Sequence, residues 1–223
     1  INIIADEYLK TDLDFSAPIA YVLEKYPQSK IKCGLKSESK GGGSMKNRAE
    51  CLAKYGSDYK IQQKVDAGEL FRVGRALYSE HKYVPELAVL AYQYPNAVVT
   101  MHSAFYLHGL TDVIPDEYDL ATDRDAAKIR DSKVKQYFNP SFFFEQGAET
   151  VDYQGYPIRM YNKERMLIEL LRYKSKLPFD FYKEVLLNYR KIMPKLDMQA
   201  IQDYAYEAPK SGKIMETLQM EVL

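Results

Sequence analysis

The run PNAVVTMHSAFYLHGLTDVIP, residues 95–115, divides the chain into a small front part and a larger body. Val98 and Val99 are β-branched and favour a short strand. Ser103 is a candidate N-cap for a brief helix. That helix would carry the apolar side chains of Phe105, Tyr106, Leu107 and Leu110. Pro115 would end whatever follows. We expect this run to be the joint at which the two parts pack together.

A glycine-serine run sets the first 40 residues apart from the rest. Residues 41–44, GGGS, have the composition of an engineered flexible linker, and Met45 directly after them resembles a native start. We therefore interpret residues 1–40 as a fused foreign segment. It holds two short amphipathic runs that cannot bury their apolar faces alone. Two interpretations stay open: an expression or crystallisation aid, or a tethered partner-derived peptide held at high effective concentration.

Composition places the remaining chain among globular proteins, with 46% hydrophobic and 28% charged residues in 223. No apolar run approaches the ~20 residues that cross a bilayer, and no export signal opens the chain. Cys33 and Cys51 lie in different segments without metal-ligand spacing. We therefore expect a reduced, cytoplasmic protein without a membrane partner. No phosphate-binding loop or dinucleotide fingerprint is present, so no cofactor is expected.

A net charge of zero hides an uneven distribution. Residues 45–82 contain eight Lys or Arg and five Asp or Glu, whereas residues 83–223 contain 17 and 20. The signs fit a basic module that contacts a polyanion, joined to a mildly acidic body that faces a protein partner.

Residues 45–82 have the pattern of a small winged helix-turn-helix. A helix from Lys46 to Tyr55 would end at Gly56, and Ser57 is a good N-cap for a second helix. The run 70–79 then predicts strand, tight turn, strand. In this geometry the second helix enters the major groove of DNA and the wing follows the backbone.

Seven side chains of this unit are candidate DNA contacts. They are Tyr59, Lys60, Gln62, Gln63, Lys64, Arg72 and Arg75. The four cations would contact phosphates. The glutamines and the tyrosine would reach base edges, because glutamine can pair with adenine through two hydrogen bonds. An alternative stays open, since a solvated helix face beside a hairpin carries the same residue types.

The body, residues 83–223, favours an α+β fold with a mostly antiparallel sheet and a helical C-terminus. Strands are predicted at 118–122, 134–138, 142–145, 149–153 and 156–160, with a short helix at 126–130 and a turn at 154–155. Further helices are predicted at 84–92, 163–173, 180–193, 197–206 and 210–223. At the start of the second of these helices, we expect Glu164 and Arg165 to form a packing ion pair.

Catalytic chemistry is hard to find in the body. His102 and His108 are six residues apart, which does not place them on one helical face for a metal ion. Asp119, Asp123 and Asp125 resemble a magnesium site, but no matching Lys or Glu motif accompanies them. We expect capping and loop roles for them, no metal, and a protein that is not an enzyme. A metal-dependent nuclease built on the three aspartates stays open as an alternative.

Three runs, in this order, resemble the AbiEi family of antitoxins: LFRVGRALYS at 70–79, TMHSAFYLHGLTDVIP at 100–115 and YNKERMLIELLR at 161–172. The resemblance covers roughly residues 46–223. It implies a winged helix, residues 45–82, that represses its own toxin–antitoxin operon. It also implies an antitoxin domain, residues 83–223, that counters a nucleotidyltransferase toxin of the AbiEii type in abortive phage infection. The family's DNA-reading helix would fall on Tyr59–Asp66 and its wing on Phe71–Leu77.

The predicted partners are therefore the cognate toxin and operator DNA, within a type IV toxin–antitoxin system. The N-terminal unit is shorter than the family pattern, and this bears on autoregulation more than on toxin neutralisation. No surface is assigned to the toxin. A third hypothesis is a non-enzymatic scaffold that recognises the peptide in residues 1–40 without binding DNA.

Overall fold

The computed structural model describes residues 45–222. The predicted foreign segment, residues 1–40, and the predicted linker, residues 41–44, lie outside the described residues. In the described part of the chain, no helix is long and apolar enough to cross a membrane.

The front of the described chain is a three-stranded sheet with two helices. Its elements are β1 (Met45–Asn47), α1 (Arg48–Tyr55), α2 (Asp58–Asp66), β2 (Phe71–Gly74) and β3 (Leu77–Ser79). The strand order is β1-β3-β2, and both pairings are antiparallel. The first helix starts two residues later than predicted, because Met45 and Lys46 pair with Ser79 and Tyr78 of β3.

Local sequence explains where these helices begin and end. Asn47 accepts a hydrogen bond from the Glu50 amide at 2.9 Å while Glu50 accepts one from the Asn47 amide at 2.7 Å, which satisfies two unpaired donors at the start of α1. Gly56 ends α1 with a left-handed φ of 87°. Ser57 caps α2 as predicted. The unit's core consists of four buried side chains: Cys51, Ile61, Leu70 and Tyr78.

The body is a five-stranded sheet that is followed by helices. Its elements are α3 (Glu86–Gln93), β4 (Val98–Val99), α4 (Met101–Leu107), β5 (Tyr118–Asp123), β6 (Val134–Asn139), α5 (Ser141–Phe144), β7 (Ala148–Tyr153), β8 (Tyr156–Tyr161), α6 (Lys163–Tyr173), α7 (Phe179–Ile192), α8 (Met198–Glu207) and α9 (Ser211–Glu221). The predicted α+β class and helical C-terminus are confirmed. The predicted cap of α6 is also present, since Asn162 accepts a hydrogen bond from the Arg165 amide at 2.9 Å.

The sheet of the body is mixed rather than mostly antiparallel. Its order is β6-β5-β4-β8-β7. The β4–β5 and β7–β8 pairs are antiparallel, whereas β4–β8 and β5–β6 are parallel. The predicted turn at Gln154 and Gly155 joins β7 to β8, with positive φ values of 54° and 86° that suit a tight hairpin.

Two other elements differ from the sequence-based expectation. Residues 142–145 were expected to be a strand, but α5 occupies this place, with Phe143 and Phe144 buried and Phe142 exposed. No helix forms at 126–130. There, Gln136 holds the backbone instead: its Oε1 accepts from the Ile129 amide at 2.8 Å and its Nε2 donates to the Ala127 carbonyl at 3.2 Å.

The run 95–115 lies at the centre of the body, not at the joint between the two parts. Val98 and Val99 are fully buried between β5 and β8. Thr100 precedes α4 in an extended conformation, so Ser103 is not the cap. Ser103 instead lies inside α4, where its Oγ accepts from the Asp119 amide at 2.9 Å.

The joint is formed by α3. The Tyr92 hydroxyl donates to the Glu50 carboxylate of α1 at 2.9 Å. A Cβ added to Gly74 would lie 3.0 Å from the Gln93 side chain and 3.4 Å from Val89. The hairpin therefore approaches α3 at a residue whose lack of a side chain permits it.

A buried charged network fixes α6 against the sheet. Arg165 and Glu169 are both buried, and Arg172 donates to Glu169 at 2.6 and 2.8 Å. The Arg165 guanidinium also stacks on the Phe143 ring at 3.4 Å and donates to the carbonyls of Phe143 and Gln146. The predicted Glu164–Arg165 pair is wrong, because successive helical residues point apart. Glu164 instead accepts from the Asp197 amide at 3.2 Å.

Candidate nucleic-acid interface

Helix α2 divides into an apolar face and a polar face. Ile61 is buried, and Val65 packs against the core of the front unit. The rest of the helix surface carries five of the predicted DNA contacts, of which Lys64 is partly exposed and the others are exposed: Tyr59, Lys60, Gln62, Gln63 and Lys64. Tyr59 is 73% exposed, so its ring is available to a partner instead of filling the core.

The glutamine side chains of α2 form hydrogen bonds with other side chains of the same helix. Gln63 donates to the Tyr59 hydroxyl at 3.2 Å, and Gln62 donates to Asp66 at 2.8 Å, both with a spacing of four residues. These exposed pairs contribute only a few tenths of a kcal/mol each, so a base edge could replace them. The arrangement presents Tyr59 and Gln63 as one adjoining pair of side chains.

The cations of the front unit fall into two groups. Lys46 and Lys54 both bind the Glu80 carboxylate, at 2.7 and 2.9 Å, and lower the pKa of Glu80 to about 2. Arg48 binds Asp58 at 2.6 Å, and this pairing lowers the pKa of the carboxyl. Lys64 of the predicted set also has a carboxylate partner, Glu69, at 2.5 Å.

The other three predicted phosphate contacts have no carboxylate within salt-bridge distance among residues 45–222. They are Lys60, Arg72 and Arg75, and all three are exposed. Arg72 lies over the Tyr78 ring, 5.7 Å from its centroid, and its Nη2 donates to the Tyr78 hydroxyl at 3.4 Å. Arg75 lies in the turn between β2 and β3, beside Ala76 with its positive φ of 54°.

One cation was missing from the sequence-based set. Lys82 is exposed after β3, with its ammonium 5.5 Å from the centroid of the Tyr83 ring. Because Lys82 lies three residues beyond the hairpin, no sequence pattern indicated it as a DNA contact. Within residues 45–222, the cations of the unit that have no carboxylate partner thus lie on α2, on the hairpin and just after it.

In the body, Asp119 and Asp123 have structural partners that account for their side chains. Asp119 accepts from the His102 amide at 2.7 Å and pairs with His102 Nδ1 at 3.0 Å. Asp123 accepts from the Asp125 amide at 2.9 Å, which lowers the pKa of Asp123. The two residues are four apart on β5, or about 13 Å along an extended strand, too far to share one ion. No cluster of metal-ligating side chains occurs among the described residues.

His102 is the most accessible part of this arrangement. Its ring stacks on Phe181, with 4.6 Å between centroids, and Asp119 behind it is nearly fully buried. Burial, together with the nearby Asp119 charge, raises the pKa of Tyr137. The Ser103 hydroxyl donates to the Glu117 carbonyl and accepts from the Asp119 amide. Among the described residues, neither Ser103 nor another nucleophilic side chain completes a catalytic triad with His102.

Comparison with known proteins finds a similarity of fold. No family model matches the chain, and no curated protein matches it. A crystal structure of the RV2827C protein from Mycobacterium tuberculosis is similar, with a TM-score of 0.56 over 92% of this chain and 76% of that one. The sequence identity is 10%, so the likeness concerns the fold alone.

Proposed function

We propose that this chain is an antitoxin of the AbiEi type, which binds operator DNA through its front unit and restrains a nucleotidyltransferase-type toxin through its body. In this proposal the front unit is a winged helix, α2 is the DNA-reading helix and the β2–β3 hairpin is the wing. The body acts by binding and performs no reaction. The three runs that resemble the family supply the identity of the expected partners.

The observation that carries the DNA-binding part is the separation of cations in the front unit. Lys46 and Lys54 share the Glu80 carboxylate, and Arg48 pairs with Asp58 of the same unit. Lys60, Arg72 and Arg75 keep their charge exposed on α2 and the hairpin. DNA phosphates would supply the negative counter-charge for these cations, and the release of counterions from DNA favours such contacts.

The alternative of a solvated helix face predicts something different. A merely solvated face would also carry unpaired cations, because exposed cations need no partner in water, but it would show no salt-dependent affinity for DNA. A gel shift with the promoter of the chain's own operon tests this, using the full chain at several salt concentrations. Absence of a shift, or an affinity that ignores salt, would contradict the DNA-binding part.

Exposed aromatic side chains on the body support a protein partner. Phe142 is 66% exposed and Tyr206 is 78% exposed. The segments that carry them are linked, because Gln146 donates both to the Phe142 carbonyl and to the carboxylate of Glu207, the residue after Tyr206. Exposed aromatic groups of this kind are enriched at protein interfaces. We assign this region as the first surface to test for toxin contact.

Co-expression with the protein encoded next to the chain tests the antitoxin part. Growth of cells that carry both proteins, and arrest of cells that carry the neighbour alone, are expected. Phe142→Ser and Tyr206→Ser together should weaken rescue if this surface contacts the toxin. Cells that arrest regardless of the chain would overturn the proposal.

The scaffold alternative differs from the antitoxin proposal because it predicts that the chain does not bind operator DNA. Recognition of the peptide in residues 1–40 with no promoter binding would favour it. The nuclease alternative requires that alanine at Asp119, Asp123 and Asp125 abolish cleavage of a nucleic acid by the purified chain. Unchanged behaviour of that variant removes it.

A further inference from the structure

A cavity of about 280 Å³ opens on the body where three elements meet. Its walls come from the loop after α4, the first residue of α6 and the last turns of α7. The polar lining residues are His108, Thr111, Asp112, Lys163, Asn188 and Lys191. Two of the three runs singled out in the sequence converge here, since 100–115 supplies the loop and 161–172 supplies Lys163.

The polar groups around the cavity are held in place. Asn188 donates from Nδ2 to the Leu110 carbonyl at 2.9 Å, and Lys191 donates from Nζ to Asn188 Oδ1 at 2.8 Å. Thr111 Oγ1 accepts from the Val113 amide at 3.1 Å, which leaves the hydroxyl proton for another acceptor. The loop is therefore attached to α7, and its side chains have defined positions.

The charge balance of the cavity is positive. Lys163 and Lys191 line it together with one carboxylate, Asp112, and the Glu164 carboxylate acts on His108 from outside the lining. Among residues 45–222, no carboxylate lies within salt-bridge distance of either ammonium. Burial lowers the pKa of His108, against the opposing effect of the hydrogen bond between its Nε2 and the Tyr161 carbonyl at 2.7 Å, so the neutral imidazole is favoured. The start of α6 adds the partial positive charge of a helix N-terminus beside Lys163.

We infer that this cavity binds the phosphate group of a small anionic ligand, such as inorganic phosphate or a nucleotide, with Lys163 and Lys191 as the charged contacts. Phosphate oxygens accept hydrogen bonds from ammonium groups, and the Thr111 hydroxyl and Asn188 amide are donors of suitable type. The volume lies at the lower end of small-molecule sites, which favours a ligand no larger than a nucleotide. The inference is independent of the antitoxin proposal.

Isothermal titration of the full chain with inorganic phosphate, AMP and ATP in separate arms tests the inference. Saturable binding of at least one probe is expected, and the arm that binds tightest identifies the source of the phosphate. Lys163→Met and Lys191→Met should each weaken it by roughly tenfold, since each removes one charge-assisted hydrogen bond. Asp112→Asn should strengthen it, because the only carboxylate in the cavity repels the ligand.

Lys183→Met is the matched control. Lys183 is an exposed lysine of α7 that does not line the cavity, so its loss should leave binding unchanged. The melting temperature of each variant establishes that it is folded. Binding that survives the double Lys163→Met, Lys191→Met substitution overturns the inference, and so does the absence of saturable binding in every arm. A short DNA duplex that binds through these lysines while the small probes do not would also overturn it.

Discussion

Arg165 and Glu169 form an ion pair in the interior of the body, through Nε–Oε1 and Nη2–Oε1 hydrogen bonds of 3.1 and 2.7 Å. Both side chains are essentially inaccessible to solvent. One carboxylate thus serves two guanidinium groups, because Arg172 binds it as well. The dependence of the buried Arg165 and the partly exposed Arg172 on one anion makes the network sensitive to loss of Glu169 in particular.

Glu169→Leu should destabilise the fold by roughly 3–5 kcal/mol, because it leaves the buried Arg165 guanidinium, and the partly exposed Arg172 beside it, without their shared counter-charge. Urea unfolding followed by circular dichroism measures the change. Glu164→Gln is the control, since Glu164 lies on the same helix with a partly exposed side chain, and it should change stability by less than about 1 kcal/mol. Similar unfolding midpoints for the two variants would contradict this account of the network.

Gly147 and Gly109 offer a matched pair for separating backbone strain from steric clash. Both have a φ of 70°. A Cβ at Gly147 would lie 2.5 Å from Arg165 Cβ and 2.9 Å from Asn162 Oδ1, whereas nothing lies within 4 Å at Gly109. Gly109→Ala should cost about 1 kcal/mol from the left-handed conformation. Gly147→Ala should cost roughly 3 kcal/mol or more, because overpacking adds to that strain. Equal unfolding free energies would refute the packing argument.

Removal of individual cations should change DNA binding in a graded way. Lys60→Ala and Arg75→Ala should each reduce the slope of log affinity against log salt by about 0.9, which is the loss of one phosphate contact. Lys64→Ala should have a smaller effect, because Glu69 already neutralises that ammonium. Lys54→Ala is the control, since Lys54 pairs with Glu80, and its slope should match that of the unchanged chain. Equal slopes for all four variants would show that these cations do not contact phosphates.

Gln63→Ala tests base readout separately from phosphate contact. Its salt slope should stay the same, while discrimination between operator and a scrambled duplex should fall by roughly 1–3 kcal/mol in binding free energy. Competition gel shifts with both duplexes measure this. An equal loss of affinity for both would assign Gln63 to general binding instead of specificity.

His108 should make stability depend on pH in the neutral to mildly acidic range. Burial lowers its pKa in the folded chain below the value of 6.5 for an unperturbed histidine. As pH falls through 6.5, the unfolded state takes up a proton that the folded state does not. The free energy of unfolding therefore keeps its full value above about pH 7 and decreases on acidification. His108→Gln should flatten the dependence of the urea midpoint between pH 7.5 and 5, whereas His81→Gln, at an exposed position, should not.

The helices of the body could be predicted well because their signals are local. The run 163–173 has an asparagine cap and an amphipathic pattern, and α6 occupies these residues. The strand at Met45–Asn47 could not be found this way, because its only cause is pairing with β3, about thirty residues further along the chain. The parallel β5–β6 pair and helix α5 also depend on tertiary packing.

Some features of the candidate sites could likewise be predicted from local sequence, whereas others depend on tertiary contacts. Exposure of the polar face of α2 followed from the inward spacing of Ile61 and Val65. The neutralisation of Lys64 did not follow, because it depends on where the chain places Glu69 after the helix. The convergence of Lys163 and Lys191 at one cavity was equally hidden, since it joins residues from helices separated by a loop.

The link between Tyr92 and Glu50 has a thermodynamic consequence. Helix α3 lies against β8 of the body and also supports the hairpin at Gly74. A partner that displaces α3 would therefore also change the positions of α1 and the hairpin, and with them the affinity of these elements for a second partner. If the first partner changes the affinity for the second by some factor, the second partner must change the affinity for the first by the same factor. Titrations performed in both orders would return the same coupling constant.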